Sequence, residues 1–290
     1  MTYELFIADR AFSSWSLRGW LMFEKFAIPV RTVMADLYGG GLEQDLGPLF
    51  PARLVPVLRT PEGHVIGETL AIAETLAERH PEAGLWPADR GARALARWMS
   101  AEMHAGFTAL RSACPMQLLY RYEGFQPSTE VLADLERIGA LIAHARKLYG
   151  AEGPWLFGRY SLADCFYAPV AARIAGYGLP VAPEVAEYVA LTLADPAFRR
   201  WRALGLTKTY DPVPYAMALP TAPWPGPDPI AAHPLPHGPA DNDACPYSGE
   251  TPMHFMQLGD KVIGFCNPTC RDKSVLDPEA WPALSPWLPA

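Results

Sequence analysis

The sequence predicts an α+β protein assembled from successive parts: a mixed strand–helix unit, then helices alone, then a small appendage. Three observations carry that expectation. Short apolar strand patterns and helical patterns interleave over residues 1–82, and the apolar period is helical from 90 to 207. Ten of the thirty residues from Asp211 to Ala240 are proline, and three cysteines follow within 241–290.

Tyr3-Glu4-Leu5-Phe6-Ile7-Ala8 clusters and alternates apolar side chains as a short buried strand does. Ala11-Phe12-Ser13-Ser14-Trp15-Ser16-Leu17-Arg18 comes next, and Leu17, Trp20, Leu21, Phe23 and Phe26 then read as a helix stopped at Pro29. Three serines therefore stand where a strand hands over to a helix. The first N–H groups of a helix lack partners and the macrodipole there is positive, so the place favours an anion such as a thiolate. A serine hydroxyl can donate to that sulfur and lower its pKa. Ser13 or Ser14 as a plain helix cap accounts for the same residues, and both readings stay open here.

Val30-Arg31-Thr32-Val33-Met34 alternates as a second strand, which makes a right-handed βαβ start with a parallel pair. Gly39-Gly40-Gly41 marks a loop. Leu54 to Leu58 is a third strand containing Pro56, which cannot donate to a ladder and so marks an edge or a cis turn. Pro61-Glu62-Gly63 turns into His64-Val65-Ile66, and Thr69 to Arg79 is a helix. The Thr69 hydroxyl can cap that helix, and a carboxylate can take up the same free N–H groups. This βαβ–ββα order is the thioredoxin-like plan.

Pro81 to Asp89 reads as a linker. Ala92 to Leu119, Val131 to Tyr149 and Leu162 to Ala175 are then expected as helices of an all-α domain over 90–207. Ser161-Leu162-Ala163-Asp164 has the form of a capping box. Cys165 reads as a small buried apolar residue, and nothing marks Cys114 as reactive. Glu102, His104, Phe107, Arg111 and Met116 recur at helical spacing; a lone histidine there is commonly a structural hydrogen-bonding residue.

The stretch 208–240 is too rich in proline for helix or sheet and is expected to be an extended arm, one able to pack against the body through Tyr215, Met217, Leu219 and Trp224. The module at 241–290 carries Cys245, Cys266 and Cys270, spaced C-x20-C-x3-C, in a segment too short for its own core. Such modules need a metal or disulfides, and a reducing compartment favours metal; thiolates suit zinc, and Cys266 and Cys270, one turn apart, can converge on it. The fourth ligand must come from elsewhere: His254 first, with Asp243 or water behind it. A degenerate module held by packing, or a disulfide, stays open.

The net charge of −7 is uneven, with 21 Lys/Arg against 22 Asp/Glu up to residue 210 and 3 against 9 beyond it. No basic stripe suits a nucleic-acid partner, and no apolar run reaches transmembrane length, so no membrane partner is expected. Five cysteines, an odd number, do not suggest a secreted disulfide framework, and the first residues lack a signal-peptide pattern. A cytoplasmic protein is expected.

The S-S-x-S-x-R stretch, the Leu54-Val55-Pro56-Val57-Leu58 segment and Gly67-Glu68-Thr69-Leu70-Ala71-Ile72 together resemble, in that order, a serine-type, zeta-like glutathione transferase. The resemblance runs to about residue 207. It implies a homodimer of a thioredoxin-like domain and an all-helical domain, with glutathione as co-substrate and a hydrophobic electrophile as acceptor. It further implies Ser13, or Ser14 by one place of register, as hydrogen-bond donor to the glutathione thiolate. Val55 and the cis Pro56 would hold the cysteinyl unit, and Glu68 and Thr69 the γ-glutamyl end. His104 and Arg111 would lie near the substrate pocket. Zeta-type maleylacetoacetate isomerases carry cysteine where Trp15 stands, which sets isomerisation behind conjugation. Gly264-Phe265-Cys266 to Cys270 and Asp277-Pro278-Glu279-Ala280-Trp281 resemble a TRASH/YHS metal-binding knuckle, although Ser248 stands where related four-cysteine knuckles have a cysteine. The rival expectation is non-enzymatic: a metal- or thiol-sensing or interaction protein on a transferase scaffold.

Overall fold

A computed structural model describes residues 2–289. The chain forms two compact units, one holding the chain up to Leu193 together with Pro212–Pro225, the other Ala194–Asp211 and the chain from Gly226 onward.

The first unit begins with a four-stranded sheet in the order β2-β1-β3-β4. β1 (Tyr3–Ile7) pairs parallel with β2 (Val30–Met34), so that Leu5 faces Thr32. Between them lie α1 (Ser14–Glu24) and, after β2, the short α2 (Leu42–Leu46). β3 (Val57–Arg59) runs antiparallel to β1, and β4 (Val65–Ile66) antiparallel to β3. β1 is central, and Leu5 and Ile7 are fully buried, as its unbroken apolar run dictates. Glu4, the polar exception, ion-pairs with Arg31 and Arg59 on the flanking strands. α3 (Thr69–Arg79) completes the thioredoxin-like layer beside α1.

The helical part comprises α4 (Arg90–Ala105), α5 (Thr108–Ala113), α6 (Thr129–Tyr149), α7 (Leu162–Gly176) and α8 (Pro183–Ala194). The single helix expected from Ala92 to Leu119 is two. Gly106 ends α4 where a Cβ would lie 2.6 Å from the Glu102 carbonyl, and Phe107 adopts φ 51°, a left-handed turn that reverses the chain. Apolar residues are buried at helical spacing on both sides of this break, Met99 and Met103 before it and Leu110 after it, so period alone does not reveal it. α7 is buried almost end to end, and the capping box at Ser161 and Asp164 is formed.

Pro212–Pro225 is not a free arm. β6 (Thr221–Ala222) pairs antiparallel with β5 (Arg121–Tyr122), and the buried Tyr122 hydroxyl donates to the Tyr215 carbonyl at 3.3 Å and accepts from the Met217 N–H at 3.1 Å.

The second unit starts earlier than the expected boundary at 207. α9 (Pro196–Leu206), capped by the Asp195 carboxylate, belongs to it. So does β7 (Ala232–Leu235), which lies at the edge of an antiparallel sheet with β8 (His254–Leu258) and β9 (Lys261–Phe265). The proline-rich segment therefore does enter a sheet, with Pro234 on an edge strand, the place where a missing N–H is tolerated. α10 (Pro268–Leu276), capped by Asn267, closes the unit. Met256, Leu258, Ile263 and Phe265 pack with Ala203 of α9, Trp281 and Leu284. The expectation that the tail lacks a core is thus corrected: α9 and β7 supply the missing surface. Arg199 forks onto Asp277 (2.8 and 2.7 Å) and reaches Glu279 at 3.1 Å, so the acidic residues of the D-P-E motif serve as a clamp on α9.

Candidate functional site

The turn between β1 and α1 is built locally. Phe12 and Ser13 N–H groups donate to the Asp9 carbonyl at 3.2 and 2.8 Å, which folds the chain back over the end of the strand. Ser13 is the N-cap, in extended conformation, and its hydroxyl accepts from the Ser16 N–H at 3.3 Å. The Ser13 hydroxyl also donates to that of fully buried Ser16 at 2.8 Å, and the Ser16 oxygen accepts from the Ala8 N–H at 2.9 Å. The cap reading of Ser13 is therefore realised, and it coexists with access to solvent-lined space. A hydroxyl rotates freely: if Ser16 turns its hydrogen toward Ser13, Ser13 keeps its acceptor bonds and frees its own hydrogen.

Two cavities meet at this turn. One, of about 790 Å³, is lined by Ser13, Trp15, Val55, Pro56, Glu68, Thr69 and His104 among others. The other, of about 480 Å³, is lined by Ser13, Ser14, Trp15, Arg111, Arg173 and Tyr215 among others. Ser13 and Trp15 belong to both, and Ser14 to the smaller alone.

In the larger cavity the Val55–Pro56 bond is cis. Gly19 of α1 lies so close that a Cβ there would meet the Pro56 ring at 2.9 Å. Gly19→Ala should thus push the Pro56 turn outward. We expect affinity for a ligand held along Val55 and Pro56 to fall by roughly tenfold, about 1.4 kcal/mol, with the circular dichroism spectrum unchanged; unchanged affinity by calorimetry would show that the turn gives way elsewhere. Glu68, with φ 61°, is held in the left-handed region just before α3, whose start has no side-chain cap. The first N–H groups of α3 are therefore free to face an anion. Thr69 is fully buried at that start, 3.4 Å from His104 Nδ1, and Glu68 lies 3.3 Å from His104 Nε2. Burial lowers the His104 pKa; Glu68 opposes this, and Arg18 and Arg111 add to it.

The sequence-expected residues of the first unit thus divide between two adjoining cavities, with His104 in the larger and Arg111 in the smaller. Sequence reasoning did not single out Ser16, Arg173, Tyr38 or Tyr215. Ser16 stood in the S-S-x-S stretch and carried a signal; Arg173 carried only that of a charge inside the apolar pattern of α7, and Tyr215 only that of an aromatic residue along the arm. Cys114 is buried, and burial pushes its thiol up to about 12, which leaves it inert.

In the second unit the Sγ atoms of Cys245, Cys266 and Cys270 lie within 4.8 Å of one another, with Cys266 and Cys270 at 3.9 Å. Thiolates about 2.3 Å from one tetrahedral zinc stand about 3.8 Å apart, so the set fits three ligands of a zinc site. Among the described residues neither His254 nor Asp243 joins this group. Ser248 Oγ donates to Cys266 Sγ at 3.2 Å and is the oxygen at hand for a fourth place. All five cysteines are free thiols. Burial raises the Cys245 pKa, but the N–H groups of Cys266, Tyr247 and Ser248 outweigh it and bring it down to about 7. Burial and the neighbouring Cys266 push Cys270 up to about 11.

A thioredoxin-like sheet joined to a helical bundle, with adjoining cavities at a serine-capped helix start, has the architecture of the glutathione transferases. Residues 12–79 match the family described as glutathione S-transferase, N-terminal domain. A maleylacetoacetate isomerase of Pseudomonas aeruginosa is 31% identical over 155 residues, 52% of this chain and 72% of that protein. A maleylacetoacetate isomerase of Dictyostelium discoideum is 32% identical over 116 residues, 40% of this chain and 52% of that one, so the match spans about half of that relative's length. The chain belongs to the glutathione S-transferase family. Among solved structures, a Burkholderia glutathione transferase homologue with bound glutathione shares the fold at a TM-score of 0.54 and 24% identity, over 72% of this chain and all of that one. Ure2p in complex with S-p-nitrobenzylglutathione gives 0.54 at 19% identity, over 69% and 94%. Among the described residues no helix is long and apolar enough to cross a membrane.

Proposed function

We propose that the first unit is a glutathione transferase that activates the glutathione thiol at Ser13 and passes it to an electrophile. The observation that carries this reading is that Ser13 caps α1 and lines both cavities, so a sulfur placed beside it faces the smaller one. Glutathione would lie in the larger cavity, with its γ-glutamyl carboxylate on the free N–H groups at Thr69 and its cysteinyl unit along Val55 and Pro56. Ser13 would donate to the thiolate, with Ser16 supplying the hydrogen bond that Ser13 gives up. A serine hydroxyl is too weakly acidic to act as a base here; it stabilises the anion, and the thiol proton leaves to solvent. Exposed Phe50 and Trp98 supply apolar surface for the homodimer that this reading includes. Calorimetric titration with glutathione, followed by a conjugation assay, tests it. Binding without turnover of any electrophile would favour the non-enzymatic sensing reading instead.

Glutathione-dependent isomerisation is the second reading, favoured by the names of the Pseudomonas and Dictyostelium relatives. There the thiolate adds reversibly to a double bond and leaves after rotation. Trp15 stands against it, because the resemblance to zeta-type isomerases implies a cysteine at that place. Assaying cis-to-trans conversion of a maleyl substrate beside conjugation separates the two.

For the second unit we propose about one zinc ion per chain, held by Cys245, Cys266 and Cys270. The three convergent sulfurs support it. Cys270, raised to about 11, gives up its proton on binding throughout the neutral range, and Cys245, at about 7, does so as well below about pH 7, so affinity should fall with pH and fall more steeply below 7. The packed core and the Arg199 clamp should keep the unit folded after chelation. We expect elemental analysis to give zinc near one equivalent in the native chain and well under half in Cys266→Ser. Metal-free native protein with three reactive thiols would refute the site.

A further inference from the structure

The charges around the smaller cavity do not cancel. Arg18, Arg111 and Arg173 gather about Trp15 and Ser14, and among the described residues none of the three has a carboxylate partner. Arg18 is fully buried, its guanidinium nitrogens lack hydrogen-bond partners, and its Cζ lies 4.4 Å from the Trp15 ring centroid. Arg111 lies 5.0 Å from the same ring and donates only to the carbonyls of His104 and Gly106, at 3.2 and 3.1 Å. Arg173 gives one bond each to the Cys114 carbonyl (2.9 Å), the Pro169 carbonyl (3.2 Å) and Ser14 Oγ (3.3 Å). A guanidinium has five N–H groups, so two of its own remain. Ser14, accepting from Arg173, keeps its hydrogen for the cavity.

Mutual repulsion shows in the charges themselves. Burial, then Arg111, brings the Arg173 pKa down to about 10, and burial, then Arg173 and Arg111, lowers that of Arg18. A bound anion would relieve this repulsion.

The cavity also has an aromatic wall. Phe12, Tyr38 and Tyr215 meet edge to face in a closed triangle, with centroids 5.9, 6.2 and 5.9 Å apart, and the two tyrosine hydroxyls share a 3.1 Å hydrogen bond. Flat rings suit such a wall, since offset and edge-on ring contacts add to simple burial.

We propose that the smaller cavity takes a flat aromatic acceptor carrying a carboxylate, with its ring on the Phe12–Tyr38–Tyr215 wall and its carboxylate on Arg111, Arg173 and Ser14. The inference rests on the glutathione reading of the larger cavity and narrows the acceptor from any hydrophobic electrophile to an arenecarboxylate. An aliphatic acid satisfies the arginines and leaves the wall bare; a neutral ring does the reverse. For the probe 4-chloro-3-nitrobenzoate the glutathione sulfur bonds to the ring carbon that bears chlorine, the C–Cl bond breaks, and chloride leaves with the bonding pair. The thiol proton goes to solvent and nothing is oxidised.

The test is calorimetry on the full chain with glutathione and three conjugates: S-(4-carboxy-2-nitrophenyl)glutathione, its 4-carbamoyl counterpart and S-(3-carboxypropyl)glutathione. The aryl acid should bind roughly tenfold or more tightly than either of the others. Equal affinity of aryl acid and aryl amide would overturn the charge requirement, and an aliphatic acid that binds as tightly as the aryl acid would overturn the ring. Tyr215→Leu, at a half-exposed ring, should erase the aryl-over-aliphatic preference and leave acid-over-amide intact; Arg111→Met should do the opposite. Unmoved ratios in both variants would also overturn the inference. If glutathione itself does not bind, the transferase reading fails, and free 3-nitrobenzoate against 3-nitrobenzamide then decides the cavity's own preference.

Discussion

Ser13→Ala should lower the rate of glutathione conjugation by roughly tenfold to a hundredfold while glutathione affinity changes little. A hydrogen bond to an anion contributes about 1.5–3 kcal/mol, and a thiolate that loses it becomes a stronger base by roughly one to two pKa units. Fewer bound thiols are then ionised at neutral pH, and the acid limb of the pH–rate profile moves upward by the same amount. Affinity survives because Val55, Pro56, Glu68 and Thr69, which line the same larger cavity, are left unchanged by the substitution. Ser16→Ala should give a smaller loss of the same kind, because it removes the group that holds the Ser13 hydroxyl at 2.8 Å. A silent Ser13→Ala with a damaged Ser14→Ala would move the thiolate to Ser14, whose hydroxyl lies 3.3 Å from Arg173. Silence in both would refute the serine mechanism. Steady-state rates across pH, with calorimetry on the same preparations, read all three outcomes.

Asp164→Ala should destabilise the first unit by about 3–4 kcal/mol. The carboxylate is buried and accepts from the Ser161 N–H (2.8 Å), the Ser161 hydroxyl (3.1 Å), the Leu156 N–H (3.2 Å) and the Tyr188 hydroxyl (3.1 Å). Alanine leaves those donors buried with no acceptor and removes the cap of α7, the helix that carries Arg173. Denaturant unfolding of the variant measures the loss, and a change under about 1 kcal/mol would mean that water replaces the carboxylate. Burial pushes the Asp164 carboxyl up to about 6, against the pull of its four donors. A group with a higher pKa folded than unfolded binds more protons in the folded state, so its contribution is full below about pH 4 and is lost as pH rises to about 6. Asp164→Asn, which cannot ionise, should flatten that fall.

The clefts depend on residues that no local pattern could connect. Ser14 and Arg173 are 159 positions apart, and Phe12 and Tyr215 lie farther apart still. Arg173 sits on a helix buried on every side, where an arginine breaks the apolar pattern; that break was the one hint in the sequence that something polar faces it. Tyr215 lay in a proline-rich stretch that reads as unstructured by composition. It is ordered because β6 finds β5 and because the Tyr122 hydroxyl ties the returning chain at two points. The cysteine-bearing tail shows the same limit from another side. Three cysteines in one short tail announced a cluster, and the Sγ atoms do converge. The choice of His254 as fourth ligand failed to match the geometry because sequence nearness says nothing about side-chain direction on a strand.

By itself the sequence determined what short-range physics controls. Alternating and clustered apolar residues fixed β1, α1 and β2 in order, and serine before an apolar helix fixed the turn at Ser13; the end of α1 was not so fixed, since the helix stops at Glu24, short of Phe26 and Pro29, with Ala27 at φ 52°. The Ser161–Asp164 box and the cysteine spacing were legible for the same reason, since each acts within a few residues. Only the tertiary structure decided that α9 and β7 join the tail, that one apolar period breaks at Gly106 and Phe107, and that Arg111 and Arg173 line one cavity with Phe12, Tyr38 and Tyr215. Those outcomes depend on which surfaces bury each other across tens of residues and more, and the free energy of that burial is a property of the folded arrangement, absent from any local stretch of chain.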